Sequence, residues 1–424
     1  MTTQHIPLNR PRSGGIPLRP TLADLQHAAL WLFILSSWFV IVEPAPYEML
    51  FALAFLLFLP GGLVASIFTA PMIIFLALYN IGGFLSATQS WRLPPDLAAR
   101  AQMFVFISSY MAVTALFFAM AATARPERVA TTVRNAWVIA AVIAATLGMI
   151  GYFDIAGMGA KWAPMQRAQG TFKDPNVLST YLVPPAVFLA QDFMLGNTRR
   201  PILRGLALFI IMGGIFLAFS RGAWADTVGA FVLLALFTFI TTRQPGLRRR
   251  IIMMSLFIIV SGAVLLIILL SIPKVHALFM DRFTLLKSYD VEETGRFASQ
   301  LRSIPLLLTH PNGLGPFGYA FRFKLDPHNV YINAFAAYGW LGGISYILLI
   351  LSTLWVGLRA ILIPAPWRRH AIAFFAPLLM MIIQGFQIDT DHWRHFYLLL
   401  GMTWGLYAAS ELWLQREKRK HGTA

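Results

Sequence analysis

Long apolar runs dominate this sequence and restrict it to one kind of fold. A run of roughly 17–25 apolar residues forms a helix long enough to cross the ~30 Å hydrocarbon core of a bilayer. We predict about twelve such spans, at residues 26–43, 47–64, 68–87, 103–122, 132–153, 176–196, 204–220, 222–241, 251–272, 329–357, 371–388 and 395–414. The predicted fold is therefore an all-α polytopic membrane protein.

Composition agrees with this fold and excludes several kinds of chemistry. Hydrophobic residues make up 58% of the chain and charged residues 12%, which is about half the charged fraction of an ordinary soluble domain. Cysteine is absent, so disulfides, thiolate nucleophiles and cysteine-ligated metals are excluded. No small-residue cleavage site follows the first apolar run, which is therefore predicted to be a retained span and not a removed signal peptide.

The positive charge of the chain predicts its orientation. Most of the arginines and lysines fall in alternate connectors between the predicted spans: Arg10, Arg12, Arg19, Arg125, Arg128, Arg134, Arg199, Arg200, Arg204, Arg243, Arg248, Arg249, Arg250, Arg359, Arg368, Arg369, Arg416, Lys418, Arg419 and Lys420. Short cytoplasmic loops of membrane proteins are enriched in these residues. We therefore predict an inner-membrane protein with both termini in the cytoplasm. This orientation explains most of the net charge of +16 without a nucleic-acid partner.

The layout divides the chain into five parts. These are a cytoplasmic tail at 1–24, nine spans within 25–272, a periplasmic loop at 273–328, three spans within 329–414 and a basic cytoplasmic tail at 415–424. The loop is predicted to carry short amphipathic helices, because Phe297, Leu301, Ile304 and Leu308 share one face at helical spacing. We expect Pro305 to kink or end that helix.

Common catalytic motifs are missing, which narrows the possible chemistry. The sequence has no P-loop, no Rossmann fingerprint, no Gly-x-Ser-x-Gly elbow and no His-Glu-x-x-His motif. ATP-driven work and hydrolase triads are disfavoured for that reason. Mixed polar sequence concentrates in the extracytoplasmic connectors, so the candidate residues are the cations and imidazoles on that side.

Arg221 and Asp226 lie at the start of one predicted span. Arg221 occupies a tight turn, Ser220-Arg221-Gly222, between two spans. Its planar guanidinium can hold two phosphate oxygens, which a lysine cannot do, although an arginine here can also simply meet lipid headgroups. Asp226 lies about one turn inside the span, where a carboxylate needs a partner, and structural and functional roles are both open.

Two further candidates come from the long loop. Arg296 opens the amphipathic segment, where a solvated surface role and a phosphate-binding role beside Arg221 are both open. His328 follows Pro327 and is predicted to begin a helix. The positive end of the helix dipole and nearby arginines disfavour the imidazolium. A neutral ring suits a general base, and the alternative is a residue that caps the helix.

Weaker candidates surround these residues. Asn329 and Asn333, one turn apart, are placed to orient a sugar or the imidazole. Lys173 adds to the cationic surface, and Asn176 is predicted to cap the following helix. The remaining histidines are His310, His392 and His395, of which the last two flank Trp393-Arg394 and have the pattern of interface anchors.

Several short motifs occur in a fixed order on this scaffold. They are Gly170-Thr171-Phe172-Lys173-Asp174-Pro175-Asn176, Phe219-Ser220-Arg221-Gly222-Ala223-Trp224, Gly295-Arg296, His310-Pro311-Asn312-Gly313-Leu314-Gly315, His328-Asn329-Val330-Tyr331 and Tyr338-Gly339-Trp340-Leu341-Gly342. Over roughly residues 100–410 the chain resembles the O-antigen ligase and polysaccharide polymerase superfamily of bacterial envelopes. The segment around Pro60 has no counterpart in that pattern.

The resemblance implies a fold, a reaction and a set of site residues. It implies a GT-C-like helical fold with the long loop over the active site. The donor would be a glycan on undecaprenyl diphosphate, and the acceptor a sugar hydroxyl of lipid A–core or of another lipid-linked glycan, with no metal or other cofactor. Arg221 and Arg296 would hold the diphosphate and His328 would be catalytic, with Asn329, Tyr331, Asp226 and Lys173 in support.

Three functions stay open at this level. A ligase is favoured because the outer loop and the His-Asn motif have its pattern, and a polymerase would use the same donor site. A transporter or flippase is the rival from another class, and it would place charges near the middle of the membrane around a central cavity. The charged candidate residues of this sequence lie instead at the outer rim, apart from Asp226.

Overall fold

The computed structural model describes residues 21–42, 44–283, 295–420 and 422. These residues form helices and turns, with no strand among them. The longer helices are α1 Leu22–Leu35, α2 Pro46–Phe58, α3 Ala70–Ala87, α4 Pro95–Ala124, α5 Pro126–Tyr152, α6 Pro175–Leu195, α7 Pro201–Leu217, α8 Arg221–Thr241, α9 Pro245–Leu270, α10 Pro273–Phe283, α11 Arg296–Leu308, α12 Gly318–Phe323, α13 Val330–Leu362, α14 Arg368–Gln384 and α15 Arg394–Lys420. The first predicted arginine cluster and the middle of the predicted loop lie outside the described residues.

The helices confirm an all-α polytopic membrane protein. Among the described residues, seven helices are long and apolar enough to cross a membrane: Ile67–Arg92, Pro95–Ala124, Pro126–Tyr152, Pro175–Leu195, Arg221–Thr241, Pro245–Leu270 and Val330–Leu362. The other five predicted spans overlap α1, α2, α7, α14 and α15, which are shorter or less apolar. Each predicted span therefore overlaps a helix, while the number that cross a membrane stays a prediction.

Successive long helices run between two opposite ends of the bundle. At one end, here called the basic end, Arg128 pairs with Asp24 at 2.7 Å and Arg359 pairs with Glu411 at 2.9 Å. The opposite end, here called the site end, carries the connectors at residues 153–174, 218–220, 309–329 and 385–393. The predicted site residues other than Asp226 and Tyr331 lie in these connectors or at the first residue of α8 or α11.

Small residues let neighbouring helices approach closely in the core. A Cβ on Gly405 of α15 would lie 2.5 Å from the backbone oxygen of Ala119 in α4. A Cβ on Gly82 of α3 would lie 2.5 Å from the backbone nitrogen of Gly342 in α13. Such contacts fix helix pairs in a membrane, where apolar side chains gain little by leaving lipid for protein.

Helix α11 has its apolar face turned outwards. Phe297 and Leu301 are 51% and 71% exposed, whereas Gln300 and Ser303 on the opposite face are buried. The helix continues through Pro305 to Leu308, so the expectation that Pro305 ends it is wrong. A proline this close to the end of a helix removes one backbone hydrogen bond, and its fixed φ is compatible with the helical turn.

A kink in α13 receives the turn made by residues 310–315. Gly339 has φ +67° and ψ −171° inside the helix. The backbone N–H of Trp340 donates to Pro311 O at 2.8 Å, and that of Leu314 donates to Ala336 O at 2.8 Å. The kink frees backbone groups of the helix, and the turn satisfies them.

We expect Gly339→Ala to destabilise the protein. Its φ and ψ lie in a region that only glycine occupies readily, and a Cβ would lie 2.7 Å from Pro311 O. Strain of this kind costs about 1–3 kcal/mol, which should appear as a lower melting temperature in detergent. Gly246→Ala is the control, because a Cβ there meets nothing within 4 Å. Equal melting temperatures for Gly339→Ala and the wild type would show that the kink is not required.

Candidate functional site

The connector between α14 and α15, residues 385–393, is where the predicted loop residues meet. The guanidinium of Arg296 donates through Nη1 to Gln387 O at 3.0 Å. The backbone N–H groups of His328 and Asn329 donate to the two carboxylate oxygens of Asp389, at 3.1 and 3.0 Å. This last connector therefore holds the start of α11 and the approach to α13 at one place.

The turn that carries Arg221 lies beside the same connector. Phe219 has φ +48°, and the Ser220 hydroxyl accepts from the backbone N–H of Ala223 at 3.4 Å, which caps α8. A Cβ on Gly222 would lie 2.6 Å from Nε2 of Gln384, the last residue of α14. Arg221 thus begins its helix next to the point where the last connector starts.

A buried arginine that sequence reasoning missed braces this turn. Arg167 donates through Nε to Ala218 O at 2.7 Å and through Nη2 to Phe219 O at 3.2 Å. Its Nη2 also donates to Asn176 Oδ1 at 2.9 Å. Arg167 is 7% exposed and ties the start of α6 to the turn before α8. Nothing in the spacing of the sequence distinguishes it from an ordinary loop arginine.

His328 lies just before α13 and does not begin it. Asn329 is the N-cap, since its Oδ1 accepts from the backbone N–H groups of Tyr331 and Ile332 at 3.1 and 3.2 Å. The prediction that His328 begins the helix is therefore wrong by two residues, because the asparagine side chain takes the capping position. His328 has φ +46°, and the Asp389 carboxyl fixes this backbone by its two hydrogen bonds.

Tyr331 supports the site from the first turn of α13. Its hydroxyl donates to Ile382 O in α14 at 2.6 Å, and its ring lies 4.4 Å from that of Phe386. These contacts fix the end of α14 against the start of α13. The last connector follows α14 and His328 precedes α13, so Tyr331 stabilises the surroundings of His328.

Two carboxylates in the last connector were not identified from the sequence. Burial, followed by the neighbouring charge of Asp391, raises the pKa of Asp389 to about 8, although the two backbone N–H groups favour its charged form. Asp391 accepts from Asn333 Nδ2 and lies 3.2 Å from His392 Nδ1. Asn333 therefore contacts an acidic group, and residues 389–394, predicted only as a short outer turn, organise the site end.

Asp226 lies inside α8, and Lys173 lies in the connector before α6. Asp226 is 3% exposed, and its Oδ2 has no hydrogen-bond partner among the described residues. Lys173 is exposed and lies just before α6. That helix is capped by Asp174, which accepts from the backbone N–H of Asn176 at 2.6 Å. The prediction that Asn176 is the cap is wrong, because its side chain instead accepts from Arg167.

We expect Asp389→Ala to reduce activity more than Asp389→Asn. Alanine leaves two backbone N–H groups without an acceptor, at a cost of about 1–3 kcal/mol each, whereas asparagine keeps one acceptor oxygen. Because burial raises the pKa of Asp389 to about 8, its carboxyl group becomes a stronger acceptor as the pH rises through that value. The ratio of wild-type to Asp389→Asn activity should therefore increase above that pH. Rates against pH measure this, and wild-type activity in Asp389→Ala would contradict it.

The chain is a multi-pass helical membrane protein with arginines, a histidine and buried carboxyl groups gathered at one end of the bundle. Residues 206–347 match the family model described as O-Antigen ligase, which confirms the resemblance to the O-antigen ligase superfamily. The matched third of the chain contains Arg221, Arg296 and His328, whereas Lys173 and the last connector lie outside it.

The family match indicates a class of activity. It points to a function like that of O-antigen ligases, hence to a glycosyltransferase-like enzyme that uses lipid-linked glycans. No curated protein matches the chain.

Proposed function

We propose that the protein is a periplasmic glycosyltransferase that moves a glycan from undecaprenyl diphosphate to the sugar hydroxyl of an acceptor. Ligation of O-antigen to lipid A–core is the favoured reaction. The observation that carries the proposal is the convergence of Arg221, Arg296 and His328 around residues 384–389. The family match over residues 206–347 supports it.

The proposed reaction is a displacement at the anomeric carbon of the donor sugar. The acceptor hydroxyl oxygen attacks that carbon, and the bond between the carbon and the diphosphate oxygen breaks. His328 accepts the hydroxyl proton as general base. Arg221 and Arg296 stabilise the negative charge that develops on the departing undecaprenyl diphosphate. The general base removes the hydroxyl proton and the two cations stabilise the departing diphosphate, so the three residues meet both requirements of this step.

The proposal includes an orientation and an architecture. The site end would face the periplasm and the basic end the cytoplasm of a cell inner membrane, with about twelve spans in a GT-C-like arrangement. Helix α11 would lie on the periplasmic surface of the inner membrane. Its exposed apolar face and its buried polar face suit that position, because an interfacial helix turns its apolar side to lipid.

We expect a cysteine at the site end to react from outside and one at the basic end to be protected. Asp326→Cys and Gly246→Cys use exposed positions at the two ends, in a chain without native cysteine. A membrane-impermeant maleimide should label the first and not the second in intact spheroplasts. Both should react after permeabilisation, which controls for access. The reverse labelling pattern would contradict the orientation.

Reconstitution with two acceptors tests the function and separates its alternatives. Proteoliposomes would receive a radiolabelled glycan on undecaprenyl diphosphate, together with either lipid A–core or a second lipid-linked repeat. Label on lipid A–core indicates a ligase, and label on longer lipid-linked chains indicates the polymerase. Label that crosses the bilayer unreacted would reject glycosyl transfer in favour of a flippase.

A further inference from the structure

A cavity of about 170 Å³ opens at the site end, beside the last connector and apart from the arginine turn. Its lining comes from the segment after α1, from α2 and α5, from the start of α6 with the residues just before it, and from the end of the last connector with the start of α15. Aromatic rings dominate the wall, with Trp137, Phe172 and Tyr181 on one side and Trp393 on another. An engineered cavity of ~150 Å³ accepts a benzene ring, so this one has room for a single six-membered ring.

Two buried polar groups in the cavity wall lack partners. Trp137 is 1% exposed and His395 is 4% exposed. The Nε1 of Trp137 and the Nε2 of His395 have no hydrogen-bond partner among the described residues. Buried polar groups in proteins are nearly always paired, and leaving one unpaired is costly. A ligand with oxygen atoms inside the cavity would satisfy both.

The other polar groups of the wall favour a neutral ligand over a phosphate. Arg394 is paired with Glu48, at 2.6 Å from Nη2 to Oε1, so its charge is compensated. The hydroxyl groups of Ser37 and Tyr181 share a hydrogen bond of 2.7 Å. Lys173 also lines the cavity but is exposed, so the interior of the wall offers a phosphate only the compensated charge of Arg394. A sugar offers hydroxyl groups to donors and a flat face to aromatic rings.

We propose that this cavity binds one sugar ring of the acceptor. The inference rests on the proposed function and names where the acceptor would be held. The donor sugar is attached directly to the diphosphate, so it would lie beside Arg221 and Arg296. These two arginines do not line the cavity. The last connector joins the two places, since Asp389 fixes His328 and the following residues His392–His395 line the cavity. An acceptor held here could extend a hydroxyl group towards His328.

Two variants test the cavity, so that the test does not depend on a single buried substitution that could destabilise the fold. Lys173→Ala alters the exposed rim only, and His395→Phe removes the unpaired Nε2 while keeping a ring against Trp393, whose centroid is 5.4 Å away. Arg322→Ala is the control, because Arg322 is exposed at the site end and does not line the cavity.

The probes are two radiolabelled, delipidated saccharides, the core oligosaccharide and the repeat-unit oligosaccharide. Binding to protein in nanodiscs would be measured without any donor. We expect one of them to bind the wild type and Arg322→Ala equally. Its affinity should fall about tenfold in His395→Phe, the loss expected when a single buried hydrogen bond goes unmade, and by a smaller factor in Lys173→Ala, because Lys173 is exposed. In the transfer assay the same variants should raise KM for acceptor and leave KM for donor unchanged.

Separate outcomes identify which proposal fails. Saccharide binding that the variants weaken, in a protein with no transfer activity, would reject the proposed function and keep the cavity assignment. Transfer with wild-type acceptor KM in both variants would overturn the cavity assignment and keep the function. Absence of binding by both saccharides, or displacement of the bound saccharide by inorganic phosphate, would also overturn it.

Discussion

Replacing His328 with alanine is expected to lower the rate of glycan transfer by about 10²–10⁴-fold, the range typical of a lost general base. Donor binding should largely survive, because the diphosphate is assigned to Arg221 and Arg296. His328→Gln should not restore the rate, because glutamine cannot accept a proton near neutral pH. Transfer would be measured in proteoliposomes, with donor binding measured separately on the same preparations.

The pH dependence gives an independent check on His328. The wild-type rate should fall as the pH is lowered, because protonation of the imidazole removes the lone pair that accepts the hydroxyl proton. His310→Ala is the matched control. It also lies at the site end, but its Nδ1 contacts Leu306 O at 2.7 Å. Near-normal rates in His328→Ala, or rescue by glutamine, would mean that His328 only positions the substrate.

Replacing Arg221 is also expected to lower the rate strongly, because the departing diphosphate loses a group that stabilises its charge. Arg221→Ala should lower the rate by about 10²–10³-fold, by analogy with the loss of a donor that stabilises a developing anion. Arg221→Lys keeps the charge and loses the two-pronged guanidinium, so it should remain impaired.

Arg302→Ala controls for the general loss of positive charge at the site end. Arg302 is exposed and lies on α11 six residues after Arg296. The comparison requires wild-type abundance of each variant in the membrane, measured on the same samples. Normal transfer by Arg221→Ala under those conditions would refute a diphosphate role for this residue.

The helices that consist of one long apolar run could be predicted from the sequence. Long apolar runs identify α4, α5 and α13 without any tertiary information, because each run alone exceeds the length needed to cross a bilayer. The helix boundaries were less accurate where short turns interrupt the apolar pattern. Helix α1 ends at Leu35, before a 3-10 turn at Ser36–Trp38, and α2 ends at Phe58, before Pro60 and Gly61.

The candidate site was only partly predictable, because it is assembled by contacts between distant segments. Arg221, Arg296 and His328 could be named from residue type, position and motif. Asp389 could not, since its role depends on hydrogen bonds to backbone groups about sixty residues away. Arg167 binds carbonyl groups of a turn 51 residues further along the chain. Such partners have no periodicity or spacing that a single sequence reveals.

The proposed reaction transfers a glycan and releases undecaprenyl diphosphate in the same step. The most direct measurement is the molar ratio of these two products in proteoliposomes that contain donor, acceptor and purified protein. We predict one undecaprenyl diphosphate released for each glycosidic bond formed, with both products lost together in His328→Ala and Arg221→Ala. Donor that crosses the membrane intact, or product formation that persists unchanged in both variants, would contradict the account.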